Sequence, residues 1–295
     1  VYVAYSPLWQ TVPPVGGASG SGYKTGEREQ VDIMIILFCV CIYGAGNIGD
    51  DAILSGFVSA FRKHVPHAEL GAISMAPEKT RRELELDRVW GLSREGEVDG
   101  IAWATHVVLG GATLISENPS IAYPLLHNCR LIDRCVRSNK PVSLLGAGAS
   151  NIRTKRAKRL LKRHYEAHLD VIAVRSIHDK QQASEAGGIQ ADVIQVAADA
   201  AFAMPLPPDF CRPPQGVVGV NLVGEHGTSD VFIDRVRDAL RTFFRTEANC
   251  CPVGICSETR REVGFDYALT SDVVRSIAPE AEVWCDYLSC DAFLE

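Results

Sequence analysis

The stretch Ile33-Met34-Ile35-Ile36-Leu37-Phe38-Cys39-Val40-Cys41-Ile42, followed by Tyr43-Gly44-Ala45-Gly46-Asn47-Ile48-Gly49-Asp50-Asp51-Ala52-Ile53-Leu54, decides the fold. Its first ten residues are all apolar or cysteine, the pattern of a strand buried on both faces. The glycines that follow allow a tight turn and close approach of a ligand to the backbone. After Asp51 the apolar residues Ile53, Phe57, Ala60 and Phe61 recur at helical spacing. Strand, glycine loop and helix form the opening unit of a doubly wound α/β domain, and ligands in such folds bind outside the carboxyl ends of the strands.

Gly44, Gly46 and Gly49 satisfy the dinucleotide fingerprint G-x-G-x-x-G, but the context that fingerprint needs is missing. A nicotinamide or flavin site wants an acidic residue closing the second strand. That strand, over residues 69–75, runs out into Ser74-Met75-Ala76-Pro77, with Glu69 at its start and Glu78 beyond its end. Asp50 and Asp51 in the first helical turn favour the helix dipole but repel a pyrophosphate. A dinucleotide site is therefore set aside.

Working outward, strands are expected at 33–42, 69–75, 105–110, 141–146, 171–175 and 193–197, with helices near 50–64, 120–138, 155–168 and 178–187. This alternation implies an α/β fold with a parallel sheet covered on both faces. Residues 1–30, rich in glycine, serine and proline, read as a flexible leader ahead of a first Rossmann-like domain over 31–205. The proline-rich segment 206–215 reads as a linker. A second Rossmann-like unit over 216–295 follows, with strands at 217–223, 251–256 and 282–285 and helices at 230–244 and 267–277. The chain has no initiator methionine and stops inside what reads as a further helix, so the second domain is expected to be incomplete.

The 295 residues, 46% hydrophobic and 22% charged, suit a globular protein of two ordinary domains. A net charge of −6 argues against a general nucleic-acid binder. None of the ten cysteines forms C-x-x-C, and several sit within apolar runs, so buried free thiols in a reducing cytoplasm are expected. No run approaches the ~20 apolar residues of a membrane span. The apolar run at 33–42 is no secretory signal either, because acids flank it and no small-residue cleavage site follows.

Candidate chemistry collects at the strand ends. Asn47, Asp50 and Asp51 follow the Gly46 turn. Asn47 or Asp50 caps the helix, or one carboxylate faces ligand as a general base or sugar-hydroxyl acceptor. Gly110 and Gly111 end a second strand ahead of Thr113, Glu117 and Asn118, and Gly146 and Gly148 end a third, so several glycines at one sheet edge point to a cleft. Arg175 ends the strand at 171–174, an expensive place for a guanidinium without an anion. It either pairs with Asp199 or binds a carboxylate or phosphate. His164 and His168 read as surface histidines on a helix, since no third zinc ligand is evident and the pattern is H-x-E-x-H. Residues 153–163 carry seven basic side chains and no acid, either a solvated helix face or a contact for anionic lipid or a lipid-linked polymer.

Several of these segments, in order, resemble the polysaccharide pyruvyl transferase family. They are Tyr43-Gly-Ala-Gly-Asn-Ile-Gly-Asp-Asp-Ala-Ile, Val107-Val-Leu-Gly-Gly-Ala-Thr-Leu, Lys140 with Pro141-Val-Ser-Leu-Leu-Gly-Ala-Gly-Ala, Val171-Ile-Ala-Val-Arg-Ser, and Ala198-Asp-Ala-Ala-Phe. Together they span about 33–204. The resemblance implies two Rossmann-like domains facing each other as in the GT-B glycosyltransferases. It also implies a transferase that moves the enolpyruvyl unit of phosphoenolpyruvate onto two hydroxyls of a cell-surface polysaccharide or its precursor, making a cyclic ketal. On that reading phosphoenolpyruvate is the donor substrate and no cofactor is needed. Asp50 or Asp51 would be the base, with Gly46, Asn47, Gly110, Gly111, Glu117, Asn118, Gly148, Arg175 and Asp199 binding substrate. The partners would be phosphoenolpyruvate and a polymeric or lipid-linked saccharide, met in the cytoplasm or at the inner membrane face. A nucleotide-sugar glycosyltransferase on the same scaffold, or a non-catalytic carbohydrate-binding protein, are the alternatives. The family's glycine-x-arginine-leucine-histidine donor motif is expected some tens of residues past Glu295, and a chain ending there is expected to be poorly soluble or inactive.

Overall fold

The computed structural model describes residues 33–117, 124–205, 216–222, 229–247, 249–256 and 265–284. The expected leader, Asn118 and the expected linker at 206–215 lie outside these residues. Strand β1 (Ile35–Cys39) leads through helix α1 (Ile48–His64) to β2 (Glu69–Ser74), α2 (Pro77–Leu84) and β3 (Arg88–Gly91). Helix α3 (Arg94–Trp103) returns the chain to β4 (His106–Gly110). A short β5 (Ile115–Ser116) and α4 (Pro124–Arg137) precede β6 (Val142–Ala147), β7 (Ala149–Ser150) and α5 (Lys155–Leu160), which widens into a π-helical turn over Leu161–Glu166. After β8 (Val171–Val174), α6 (Ile177–Gln181) and β9 (Ile194–Val196), a 3₁₀ turn spans Ala200–Ala203.

Seven of these strands form one parallel sheet in the order β3-β2-β1-β4-β6-β8-β9. The chain winds outward from β1 through β2 and β3, then restarts at β4 on the other side of β1. The switch point of this sheet therefore lies between the carboxyl ends of β1 and β4, where open α/β sheets bind ligand. β5 and β7 pair with each other as a small parallel extension beyond that edge. A separate three-stranded parallel sheet contains β10 (Val217–Val220), β11 (Cys251–Ile255) and β12 (Val283–Trp284), with α7 (Asp230–Thr246) packed on α8 (Phe265–Ile277).

Helix α1 shows how sequence becomes packing. Asn47 caps it, its side chain accepting from the Asp50 N–H at 3.2 Å. Its buried face sets Phe57 and Phe61 against Phe38 of β1, with ring centroids 5.6 and 5.4 Å apart. Burying each such ring contributes about 1.5–3 kcal/mol. Gly56 leaves room for the 3₁₀ turn, because a Cβ there would meet the Ala200 carbonyl oxygen at 1.8 Å. That close approach carries the 199–203 segment over the sheet edge and onto α1, although it follows the outermost strand, β9.

β1 is shorter than the apolar run predicts. It stops at Cys39 because Val40 turns the backbone at φ 78°. A β-branched residue there costs about 1–3 kcal/mol and persists when its surroundings fix it. Here the Cys41 thiol and the Tyr43 hydroxyl both donate to the carbonyl of Gly110, the latter at 3.0 Å. Burial pushes both of these groups well above their ordinary pKa, so both keep the proton they donate. The two lips of the switch point are thereby tied together.

Candidate active site

The glycine loop is shaped by packing against its neighbours. Gly44 has φ +73°, and a Cβ there would meet Ser74 Oγ at 2.5 Å and Thr80 Oγ1 at 2.9 Å. Ser74, where a dinucleotide site would want an acid, is buried and donates to the Tyr43 carbonyl at 3.0 Å. Asp51 accepts from the Gly44 N–H at 2.7 Å, which closes the loop onto the helix it precedes. Gly46, at φ +89°, makes the turn itself. Asp50 and Asp199 are both felt by the Cys41 thiol, whose pKa is raised first by burial, then by Asp50 and, more weakly, by Asp199.

On the other side of the switch point stands Arg175. Its guanidinium lies over Gly148, where a Cβ would come within 2.7 Å of Nη2. Nη1 reaches Asp199 Oδ2 and Nη2 reaches Thr113 Oγ1, each at 3.4 Å, and Nε stands 3.9 Å from Asp179 Oδ2. Of the two alternatives for Arg175, the structure shows the pair with Asp199, at long range, with about a third of the arginine side chain exposed. Asp199 is held by its own second bond, accepting from the Ala201 N–H at 3.1 Å to cap the 3₁₀ turn. An open cleft of about 790 Å³ is walled by Arg175, His178, Asp179, Asp199 and Phe202. It opens at the carboxyl ends of β8 and β9 rather than over the glycine turn.

The remaining candidates divide. Gly110 carries the shared carbonyl, and Gly111, at φ +77°, packs where a Cβ would meet Ile53 at 2.4 Å. Gly146, at φ +63°, sits within the register shift between β6 and β8, a bulge that bends the strand end beside the cleft. Glu117 accepts from the backbone N–H groups of Arg153 and Thr154 at 2.6 and 2.8 Å and from the Thr154 hydroxyl. It thereby fixes the start of α5. His164 corrects the surface-histidine expectation: it is buried, and its Nδ1 lies 2.9 Å from Asp133 Oδ1. The π-helical turn moves it off the outward spacing it would share with exposed His168. Among the described residues no three metal-ligating side chains converge. Cys39, Cys41, Cys129 and Cys135 are buried free thiols, whereas Cys251 is exposed.

Two residues of the cleft wall were not singled out by the sequence reading. Asp179 is buried, accepts from the Ala149 N–H at 2.7 Å and from the Ser176 hydroxyl, and borders Arg175. Ser176-x-x-Asp179 is a capping signature, with Ser176 Oγ accepting from the Asp179 N–H at 3.1 Å, and it offered a signal. Phe202, 88% exposed on the cleft wall, offered none beyond its place in the Ala198–Phe202 segment.

Two expected results arise from this geometry. Gly148→Ala should displace the guanidinium and lower turnover by roughly tenfold while shifting the melting temperature little, because the clash falls on a side-chain end. Steady-state rates beside a melting curve check it. Glu117 feels burial, which raises its pKa, but the bonds from Thr154 and Arg153 prevail and hold it below 4.5. A depressed carboxylate adds stability above its unfolded value and loses it as pH falls through the folded one. The melting temperature of wild type should therefore exceed that of Glu117→Gln at neutral pH, and the gap should close on acidification below about 4.5.

The fold has counterparts among solved structures. A candidate UDP-N-acetylglucosamine 2-epimerase of Listeria monocytogenes superposes with a TM-score of 0.55 at 11% identity, over 89% of this chain and 71% of its own. A glycosyltransferase of Rickettsia africae gives 0.52 at 13% identity, over 89% and 70%. The UDP-GlcNAc 2-epimerase of Neisseria meningitidis, bound to UDP-GlcNAc, gives 0.50 at 10% identity, over 89% and 74%. The class is therefore the α/β fold of the GT-B glycosyltransferases and epimerases. A model of the polysaccharide pyruvyl transferase family matches residues 47–244, more than half of the chain, and the protein belongs to that family of transferases. No curated protein gives a significant sequence match.

Proposed function

We propose that the protein transfers a pyruvyl group from phosphoenolpyruvate to two hydroxyls of a saccharide, with the reaction seated along the carboxyl edge of the seven-stranded sheet. The observation that carries this reading is a partly exposed guanidinium, held at long range by Asp199 on the wall of an open cleft, in a chain of this family. Phosphoenolpyruvate brings a carboxylate and a phosphate, and the fork of Arg175 matches either. Its bonds to Asp199 and Asp179, at 3.4 and 3.9 Å, are long enough to be exchanged for a ligand oxygen. Asp199 and Asp179 then act as positioning residues.

In the transfer, the two acceptor oxygens bond to C2 of the enolpyruvyl unit. The bond from C2 to the phosphate oxygen breaks, the methylene gains a proton to become the ketal methyl, and phosphate leaves with the second hydroxyl proton. Asp50 is the base that takes an acceptor proton. Asp51, with one carboxylate oxygen on the Gly44 N–H, holds the loop. No cofactor enters this scheme. The test is release of phosphate from phosphoenolpyruvate by the full-length protein in the presence of polymeric or lipid-linked glycans, with the acceptor's mass followed in parallel. Release coupled to a ketal on the acceptor supports the reading. Failure with every acceptor, together with thermal stabilisation by UDP- or GDP-sugars but not by phosphoenolpyruvate, would assign the scaffold to nucleotide-sugar chemistry instead.

A further inference from the structure

Helix α5 and its π-helical continuation present a surface that the transfer chemistry does not use. Arg153, Lys155, Arg156, Lys158, Arg159, Lys162 and Arg163 are all exposed, and none of them enters a salt bridge among the described residues. The buried side of the same segment is Ala157, Leu161 and Tyr165, packed into the core. Lys155, Arg156, Lys158 and Arg159 fall within an arc of roughly 160° at 3.6 residues per turn. The cations thus share one outward face. The acids that bond to this segment or lie within it are engaged: Glu117 with the Arg153 and Thr154 N–H groups, Asp133 with His164, and Glu166 with the Gln190 N–H. This face is strongly positive on a chain whose net charge is −6.

We propose that this face docks the protein on an anionic lipid bilayer. Cation clusters of this density adsorb to acidic headgroups. A convex helix exterior meets a plane more fully than it meets the curved backbone of a polymer. A single-stranded nucleic acid would want aromatic platforms among the cations, and Tyr165, the aromatic residue within the 153–166 segment, is buried. The contact is adsorption and not insertion, since the exposed face offers no large apolar side chain, and among the described residues no helix is long and apolar enough to cross a membrane. α5 starts where Glu117 grips Thr154, next to the β5–β7 extension of the carboxyl edge, so adsorption would hold the cleft near acceptors carried by the membrane. That last consequence rests on the transfer reading. The lipid binding does not.

Flotation of the full-length protein with phosphatidylcholine vesicles, with and without phosphatidylglycerol, tests it. Wild type should float with the anionic vesicles alone and be released by several-fold higher salt. A variant combining Lys158→Gln, Arg159→Gln, Lys162→Gln and Arg163→Gln should lose at least roughly tenfold in binding. It should keep its melting temperature and its turnover on a soluble saccharide. Equal flotation of wild type and variant, absence of flotation, or displacement by a soluble anionic polysaccharide or nucleic acid that binds more tightly would each overturn the proposal. Lipid binding without phosphate release would instead count against the transfer reading alone.

Discussion

Arg175→Lys should lower kcat/KM for phosphoenolpyruvate by about 10²–10³-fold, in the range seen when a single fixed donor to developing charge is removed. The substitution keeps the charge and loses the planar fork, so the size of the loss reports geometry rather than field. The guanidinium is held at one angle by Thr113, Asp199 and Asp179 and lies on Gly148, which has no side chain to displace it. An ammonium on a flexible stem has none of that orientation. Stability should change by less than about 1 kcal/mol, because the pairs are long and a third of the side chain is in solvent. A melting curve beside the rate therefore separates a substrate contact from a structural pair: a large fall in melting temperature with a proportionate fall in rate would mean that Arg175 serves the fold.

Asp50→Asn should lower kcat by about 10²–10⁴-fold, the usual range for a lost general base, with little change in KM. Its neighbour provides the control. Asp51→Ala removes the acceptor for the Gly44 N–H and leaves a loop donor to find water, so it should show chiefly as lost stability, about 1–3 kcal/mol. Both side chains lie in the first turn of α1 and both favour its dipole. If the two substitutions cost the same stability and the same rate, the loop acts as one structural unit and no base has been found. Rates measured over a pH series add a second readout, since Asp50→Asn should remove the acidic limb of the profile and Asp51→Ala should preserve it.

Much of this was legible in the sequence, for reasons that differ by element. β1, β2, β4, β6, β8 and β9 were readable because strands buried on both faces are continuous apolar runs. The stretch around β3 was not. α2 is mostly charged and exposed, with Thr80 its one fully buried residue, and β3 is a half-exposed strand of four residues at the end of the sheet. α3 carries Gly96 and Gly100 in its interior, which propensity counts against a helix. Packing overrides it: a Cβ at Gly100 would crowd Leu37 and Ile73, and one at Gly96 would meet the Gly91 carbonyl. At the site, Asp50 and Arg175 were flagged from their positions at strand ends. What escaped was long-range placement. Nothing local to residues 197–204 says that they cross back to α1, yet Gly56 and the Ala200 carbonyl depend on it. Asp179 hid inside a helix-capping pattern whose second role, facing Arg175, exists in three dimensions alone.

Hydrogen exchange of the full-length protein, with and without phosphoenolpyruvate and a saccharide acceptor, tests the placement of the reaction most directly. Protection should appear together in three segments that the sequence keeps apart: residues 43–51 of the glycine loop, 110–114 after β4, and 175–202 around Arg175, Asp199 and the cleft. Arg175→Lys should abolish the protection caused by phosphoenolpyruvate in the last of these. Protection confined to residues 217–284, or none along the carboxyl edge of the seven-stranded sheet under conditions where phosphate is released, would contradict the account.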